Sequence, residues 1–431
     1  MTLPQEFWEL FEAALSGAAG DEQPQSEIRK RFETALDGES PACVRLNPWK
    51  KATLPILEGA RQIPWSPEGW QLVKRPIFTL HPLFHAGAYY VQDASSMFIG
   101  AVLRRILRLP EMQQRAEKGP LRVLDLCAAP GGKTTDAAAS LREAYGDGFS
   151  LLSNEVVPKR AAILRDNVEV WGDPCVSVSS LQPAKLGALK EAFDIILVDA
   201  PCSGEGMFRK EPQAASQWSL RKVDDCAALQ RKILSDIAPA LAPGGYLIYS
   251  TCTYNPRENE GSVASLLENP EFEALNLRSL MASEMAKAAE AGESLLWSSL
   301  QGEHSGASAV RLVPGLVHGE GQFCALLHKN ARGGCAPARI KVPEGCVTSP
   351  AASRECPTSY IIDREKYPNV AVDKQTALNY LHGDSLVLPG APMGQLLLTY
   401  KDIPLGYVKN IGTRCNNLYP KSRRIKIDVT L

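Results

Sequence analysis

The sequence predicts an α/β protein built on a doubly wound core, with an N-terminal extension and a small β-rich C-terminal domain. Three observations carry that expectation. From about residue 121, short apolar runs (LRVLDL, FSLLSNE, CVSVSS, FDIILVD, GGYLIYSTC) alternate with helical stretches long enough for right-handed crossovers, the pattern of a parallel sheet covered on both faces. A Pro-Gly-Gly turn follows the first of these runs directly. Beyond a Gly-, Pro-, Ala- and Ser-rich stretch at 331–357, the pattern changes to short strands joined by Gly/Pro turns. The 431 residues are 45% apolar and 22% charged, which leaves room for several units and excludes a mainly disordered, collagenous or coiled-coil chain.

Taken in order, PQEFWELFEAAL sets Phe7, Leu10, Phe11 and Leu15 on one helical face and predicts a short N-terminal helix. ACVRLNPWK and IPWSPEGW read as extended segments and turns, and HPLFHAGAYYVQDASSMFIGAVLRRIL passes into a helix that Asp93 or Ser95 can cap. Inside the core, KTTDAAASLREAY, PKRAAILRDNVEVWG and CAALQRKILSDIAPAL supply the crossovers. Residues 270–310 are helix-prone or loose, and FCALLHK at 323–329 adds a final strand. DSLVLPG, GQLLLTYKDIPLGYVKN and LYPKSRRIKIDV read as the strands of the last domain. The expected division is an N-terminal α+β extension at 1–115, expected to bind RNA if the core acts on it, the core at 116–330, a linker at 331–357 and the terminal domain at 358–431.

A net charge of −1 conceals an asymmetry: residues 1–40 hold nine acids and three bases, residues 41–120 eleven bases and five acids, and residues 401–431 seven bases and two acids. Basic stretches behind an acidic leader allow a local phosphate-binding surface, although solvated Lys and Arg faces are common. The eleven cysteines include no C-x-x-C, which favours neither a disulfide framework nor a zinc ribbon, and no metal site is expected. No stretch approaches the roughly 20 consecutive apolar residues of a membrane span, and MTLPQEFWELFEAAL shows no charged n-region before an apolar core. A cytoplasmic protein without a membrane partner is expected.

In LRVLDLCAAPGGKTT, small residues after a strand let a ligand approach the backbone; a purely structural turn is the alternative. The spacing is neither G-x-G-x-x-G nor G-x-x-x-x-G-K-[ST], which disfavours a dinucleotide or a P-loop nucleotide. Thirty residues after Asp125, Glu155 ends the next strand, where an acid can accept bonds from the two hydroxyls of a ribose or simply occupy a solvated turn. Together these features suggest a nucleoside-bearing cofactor, S-adenosylmethionine in preference to NAD. The fourth strand runs into Asp199 and Cys202 and the fifth into Cys252, both sulfurs falling at carboxyl ends, where open α/β sheets bind ligands. A buried cysteine is often only a small hydrophobe; two on polar Gly/Pro-containing exits are harder to explain so.

CAAPGGK at 127–133, VDAPCSGEGMFRK at 198–210 and STCTYNPRENE at 250–260 form a long, ordered motif set. This set resembles that of the Nol/Nop/Sun family of RNA cytosine-5 methyltransferases. RLN at 45–47, HAGAYYVQDASS at 85–96 and RLVPGLVHGEGQF at 311–323 extend the likeness to the bacterial ribosomal RNA branch called RsmF-like. The resemblance implies a Rossmann-like methyltransferase core, S-adenosylmethionine as donor, 5-methylcytosine as product, and 16S ribosomal RNA or the small ribosomal subunit as partner. Carbon 5 of cytosine is a poor nucleophile, and a thiolate adding to carbon 6 activates it. By the same resemblance Cys252 is that nucleophile, Cys202 assists release, and Asp199 holds the cytosine's ring nitrogen or exocyclic amine while helping to orient the cofactor.

The likeness further implies that Cys127, Ala128, Ala129, Pro130, Gly131, Gly132 and Lys133 surround the methionine end of the cofactor and that Glu155 takes the ribose. Arg160 supports this site or forms a helix-surface ion pair. Where many relatives carry an adenine-contacting acid, this chain offers Ser179, Ser180 and Gln182; where many carry a histidine and a second aromatic, it has Gly315 and Gln322. The terminal region GYVKNIGTRCNNLYPKSRRIKI resembles an appended RNA-binding domain, in which Lys421, Arg423, Arg424 and Lys426 contact phosphates or remain a solvated face, and Tyr419 stacks on a base or packs. Gly204 to Lys210 is expected as a flexible wall beside a flipped base, with Phe208 stacking or filling the core. A tRNA cytosine-5 methyltransferase and a non-catalytic RNA-binding assembly factor are the alternatives; two cysteines in complete motifs favour the enzyme, and Asp-Ala-Pro-Cys argues against amino-group methylation. A monomer is expected.

Overall fold

The computed structural model describes residues 3–17, 24–300, 306–330 and 347–430. The predicted N-terminal helix spans Gln5–Ser16 and buries Phe7, Phe11, Ala14 and Leu15, with Leu10 partly exposed. A second helix, Gln25–Leu36, was not expected because Gln, Ser, Glu, Arg and Lys dominate it; it buries Ile28, Phe32 and Leu36 at a spacing of four. Phe11 and Phe32 stack at 4.5 Å between centroids, and Tyr254 meets Phe32 edge-on at 5.2 Å. Phe208, fully buried, lies 5.6 Å from Phe7. The leader is thus packed against the loops expected to carry the chemistry.

The extended segments that follow form an antiparallel sheet, β1 (Cys43–Leu46), β2 (Arg61–Gln62), β3 (Gly69–Gln71) and β4 (Tyr89–Val91), in the order β2-β3-β1-β4. Asp93 begins the next helical segment by accepting from the N–H of Ser95 and of Ser96 at 3.0 and 3.3 Å.

Five parallel strands build the core: β5 (Leu121–Asp125), β6 (Phe149–Asn154), β7 (Val176–Ser179), β8 (Phe193–Asp199) and β9 (Leu241–Thr251), ordered β9-β8-β5-β6-β7. Neighbouring residues point to opposite faces. Val123, Leu151, Ile195 and Leu197 enter one buried cluster, whereas Leu124, Leu152, Ile196 and Val198 enter the other. That two-sided burial is why these strands read as continuous apolar runs. The crossover helices are Gly132–Tyr145, Pro158–Trp171 and Leu220–Ile237. The order reverses between β5 and β8, which opens a crevice at their carboxyl ends.

Residues 270–310 are more ordered than expected: β10 (Phe272–Ala274), the helix Ala282–Glu290, β11 (Leu296–Ser299) and β12 (Ser308–Leu312). With β13 (Gln322–Lys329), which contains the predicted last strand, they extend the sheet antiparallel beyond β9. Most of the expected linker lies outside the described residues. Its end is stitched to the core where β14 (Val347–Thr348) pairs with β7, and just beyond it Tyr360 donates its N–H to the Gly172 carbonyl at 2.8 Å and its hydroxyl to Asn47 of the N-terminal extension at 3.0 Å.

The last unit contains β15 (Asn369–Ala371), β16 (Gly394–Tyr400), β17 (Ile403–Asn410) and β18 (Cys415–Asn417) in sequential order, plus an unforeseen helix, Lys374–His382, capped by Asp373. LYPKSRRIKIDV is not a strand. Pro420 lacks a ladder donor, Lys421–Arg423 forms a single tight turn, and the segment returns over the helix, where Ile425 donates its N–H to Leu381. DSLVLPG contributes only an isolated bridge at Leu386 before Pro389 and Gly390. Among the described residues no helix is long and apolar enough to cross a membrane.

Candidate active site

The crevice collects the carboxyl ends of β5, β6, β8 and β9. After β5, Gly131 caps the helix Gly132–Tyr145 at φ +115°, where a side chain is disfavoured, and a Cβ there would also meet Leu164 at 3.3 Å. The first turn of this helix offers unpaired N–H groups to an anion such as a carboxylate. Asp125 is buried beneath the turn. Thr134 donates to one of its oxygens at 2.7 Å, the other has no partner among the described residues, and burial pushes its carboxyl up to about 7. Cys127 is likewise pushed up by burial and stays a thiol.

Asn154, missed in the sequence because it precedes the conspicuous Glu155, ties three strand ends together. Its Nδ2 donates to Leu126 at 3.2 Å and Leu181 at 2.9 Å, and its Oδ1 accepts from Ser179 at 2.8 Å. Ser179 is therefore committed inside the fold, while Ser180 and Gln182 are exposed beside the crevice. Glu155 accepts from the N–H of Val157 at 2.9 Å and pairs with Arg160 at 3.3 Å; Arg160 also donates to Ala129 at 2.9 Å. The ion pair of the alternative reading is present, and through it and the Ala129 carbonyl Arg160 joins the acid to the glycine loop.

Asp199 leaves β8 into a ring of donors. Lys133 donates to Oδ2 at 2.8 Å, and Ser250 and Gln322 donate to Oδ1 at 2.8 and 3.1 Å. Burial pulls the Lys133 ammonium down, but the Asp199 carboxylate beside it outweighs burial and leaves it raised. The Sγ atoms of Cys202 and Cys252 approach to 3.2 Å. Bonding to Cys252, followed by burial, holds the Cys202 thiol well above its usual range.

A buried polar network fixes this approach. Glu205 accepts from the N–H of Tyr254 at 2.6 Å and of Asn255 at 3.2 Å, from Trp218 Nε1 at 3.0 Å and from Asn255 Nδ2 at 2.8 Å. Glu258 accepts from the N–H of Ser203 at 2.9 Å, from Gln230 at 2.8 Å and from Asn255 Nδ2 at 2.8 Å. Gly206 donates its N–H to the Cys252 carbonyl at 2.7 Å, too close for a side chain. Within the segment 204–210, where a flexible wall is expected, Glu205 and Gly206 are held by these bonds, and Phe208 packs. The carboxylates of PCSGE and PRENE were visible in the sequence, but nothing there paired them.

From the N-terminal sheet, Arg45 reaches the same loop. It is fully buried, lies 4.6 Å over the Trp171 ring, and donates to Gln92 at 2.8 Å, to Thr135 Oγ1 at 2.5 Å and to the Gly132 carbonyl at 3.3 Å. The four C-terminal cations divide. Lys421 and Lys426 are exposed. Arg423 pairs with Asp166 and Glu169, both at 2.9 Å, and Arg424 packs over Gly383. Tyr419 is buried against Tyr380 at 5.3 Å. Among the described residues no cluster of three His, Cys, Asp or Glu side chains is placed to hold a metal ion.

A twisted sheet of this order, with a glycine turn after its first strand and an acid after its second, defines a Rossmann-like methyltransferase fold. The model of 16S rRNA methyltransferase RsmB/F matches residues 113–328, and the chain belongs to that family. Residues 3–94 match the N-terminal domain of 16S rRNA methyltransferase RsmF, and residues 367–425 match the RsmF PUA domain. Ribosomal RNA small subunit methyltransferase F of Cronobacter sakazakii is 36% identical over 278 residues, 62% of this chain and 51% of that protein. Its counterpart in Serratia proteamaculans is 42% identical over 183 residues, 42% of this chain and 35% of that protein. The chain thus spans about half the length, or less, of these curated relatives. Among solved structures, a methyltransferase homolog protein from Pyrococcus horikoshii is 26% identical with a TM-score of 0.53, covering 76% of this chain and 100% of that one. NSun6 from Pyrococcus horikoshii, solved with SFG, shares the fold at 18% identity, TM-score 0.53, over 76% of this chain and 98% of its own.

Proposed function

We propose that the chain is an S-adenosylmethionine-dependent RNA cytosine-5 methyltransferase acting on 16S ribosomal RNA in the cytoplasm, with residues 116–330 as its catalytic unit. The observation that carries this reading is the 3.2 Å approach of the Cys202 and Cys252 sulfurs beside Asp199 and Lys133. When bound, the cofactor supplies an electrophilic sulfonium methyl. The residues present fit it: the helix N-terminus after Gly131 suits its carboxylate, and Glu155 stands where a ribose would be held.

Lys133 and Asp199 set a donor beside an acceptor, the order that the ring nitrogen and exocyclic amine of cytosine require; the edge of uracil reverses it. Cys252, having released its proton to solvent, adds through sulfur to carbon 6, and Lys133 donates toward the ring nitrogen as charge collects there. Carbon 5 is then nucleophilic toward the methyl that the bound cofactor would present. Cys202, its own proton released to solvent, takes the proton from carbon 5; the electrons of that carbon–hydrogen bond re-form the double bond between carbons 5 and 6, and the Cys252–carbon bond breaks to return the Cys252 thiolate.

The test is incubation of the purified protein with 16S rRNA and methyl-labelled S-adenosylmethionine, followed by nucleoside mass spectrometry. Label in 5-methylcytosine is expected; label confined to another nucleoside, or none incorporated, overturns the reading.

A further inference from the structure

Between the N-terminal sheet, the outer face of the helix Pro158–Trp171 and the C-terminal domain lies a cavity of about 360 Å³ that the chemistry above does not use. Its size falls within the range of small-ligand sites, roughly 300–1,000 Å³. Phe84 and Tyr90 bring part-exposed aromatic rings from the N-terminal side, and Ile163, 53% exposed, faces them from the helix. At the rim the planar Arg423 guanidinium is bonded to Asp166 at 2.9 Å. Asn167 joins the cavity to the methyl-donor loop, for its Nδ2 donates to the Pro130 carbonyl at 2.7 Å and lies 3.5 Å from the Tyr90 hydroxyl. Trp171, in the same wall, has a buried indole N–H without an acceptor among the described residues.

Flat aromatic and aliphatic walls with a polar rim suit a planar heteroaromatic ring, stacked on its faces and hydrogen-bonded at its edge. A lipid chain would not want the carboxylate. A peptide strand would add to the open edge of β4 through backbone groups, whereas the cavity presents the ring faces of Phe84 and Tyr90 and the side chain of Ile163. We propose that this cavity receives one unpaired nucleobase of the substrate RNA, other than the target cytosine, so that three parts of the chain grip the strand beside the donor loop. This rests on the reading of an RNA substrate.

The experiment uses the full chain and a 16S rRNA transcript carrying 4-thiouridine and 6-thioguanosine. Long-wave ultraviolet light should cross-link the RNA to the peptide containing Phe84 and Tyr90 or to the one containing Ile163. Ile163→Trp, a surface change that fills the cavity, should abolish that cross-link and weaken RNA binding between about fivefold and a hundredfold, as expected for one lost stacked base. Binding of S-adenosylmethionine should remain within about twofold, which separates loss of the base from a misfolded loop. Unchanged RNA affinity in Ile163→Trp, or cross-links only elsewhere, overturns the proposal. Neither readout needs methyl transfer, so an inert protein that still cross-links here supports the cavity while sinking the enzymatic reading.

Discussion

Cys202 and Cys252 face each other across the mouth of the crevice with their sulfurs 3.2 Å apart, each delivered by the exit of one of two adjacent parallel strands. At that separation two thiolates would repel strongly, so the pair holds at least one proton.

The proposed roles predict different failures for the two sulfurs. Cys252→Ala should lower methyl transfer by at least about 10³-fold while S-adenosylmethionine binding changes little. Cys202→Ala should still attack and then stall, leaving RNA covalently attached and visible as a denaturation-resistant shift on a gel. Normal turnover by Cys252→Ala, or a Cys202→Ala protein that never retains RNA, would remove the assigned roles.

Glu205 should matter to stability and rate together. It is buried, touches neither sulfur, and organises both loops by accepting from Tyr254, Asn255 and Trp218. Glu205→Ala strands several buried donors and is expected to cost about 2–4 kcal/mol, read as a lower urea midpoint, with a fall in kcat at unchanged S-adenosylmethionine affinity. Glu205→Gln, which keeps an acceptor, should recover part of both. A purely local role would leave kcat untouched.

The four cations near the C-terminus should separate by salt dependence. Lys421→Ala with Lys426→Ala should weaken RNA binding and reduce the log–log salt slope by about 1–2, since each phosphate contact contributes about 0.7–0.9. Arg423→Ala removes an ion pair to the helix Pro158–Trp171 and should loosen the C-terminal domain, seen as faster proteolysis around residue 360, besides stripping a donor from the cavity rim. Equal slopes for the double variant and the unmodified protein would leave Lys421 and Lys426 as ordinary solvated surface.

How much of this was legible depends on the range of the interaction that fixes each element. The parallel strands declared themselves because burial on both faces makes a continuous apolar run, and Gly131 and the two cysteines stood out because turn chemistry is local. Gln25–Leu36 stayed hidden because only three of its residues are buried, and they face aromatic side chains contributed by distant segments. The Glu205–Asn255–Glu258 network joins positions about 50 residues apart, which no local pattern encodes. LYPKSRRIKIDV alternates like a strand, yet Pro420 and the pull of Asp166 and Glu169 on Arg423 give it another course.

Lys50 offers a test of how tightly the N-terminal sheet is joined to the core. Its ammonium donates to the carbonyls of Ala86 at 2.9 Å and Val170 at 2.6 Å, spanning the two units with no carboxylate partner among its hydrogen bonds. Burial therefore lowers it from 10.5 to about 7. Below pH 7 the side chain is charged in both folded and unfolded chains, and its full desolvation cost weighs on the folded state. Between about 7 and 10.5 the folded protein sheds the proton while the unfolded chain keeps it, so the cost is relieved as pH rises and this group's contribution to stability increases; above 10.5 nothing further is gained. At about 1.4 kcal/mol per unit, raising the pH from about 7 to 9 should favour the unmodified protein over Lys50→Met by about 2–3 kcal/mol more than at the start. Comparing urea midpoints of the two proteins at both pH values cancels the other titrating groups. A difference that stays level or shrinks would mean that the two carbonyls, at the end of a helix and the end of a turn, hold Lys50 as a cation throughout.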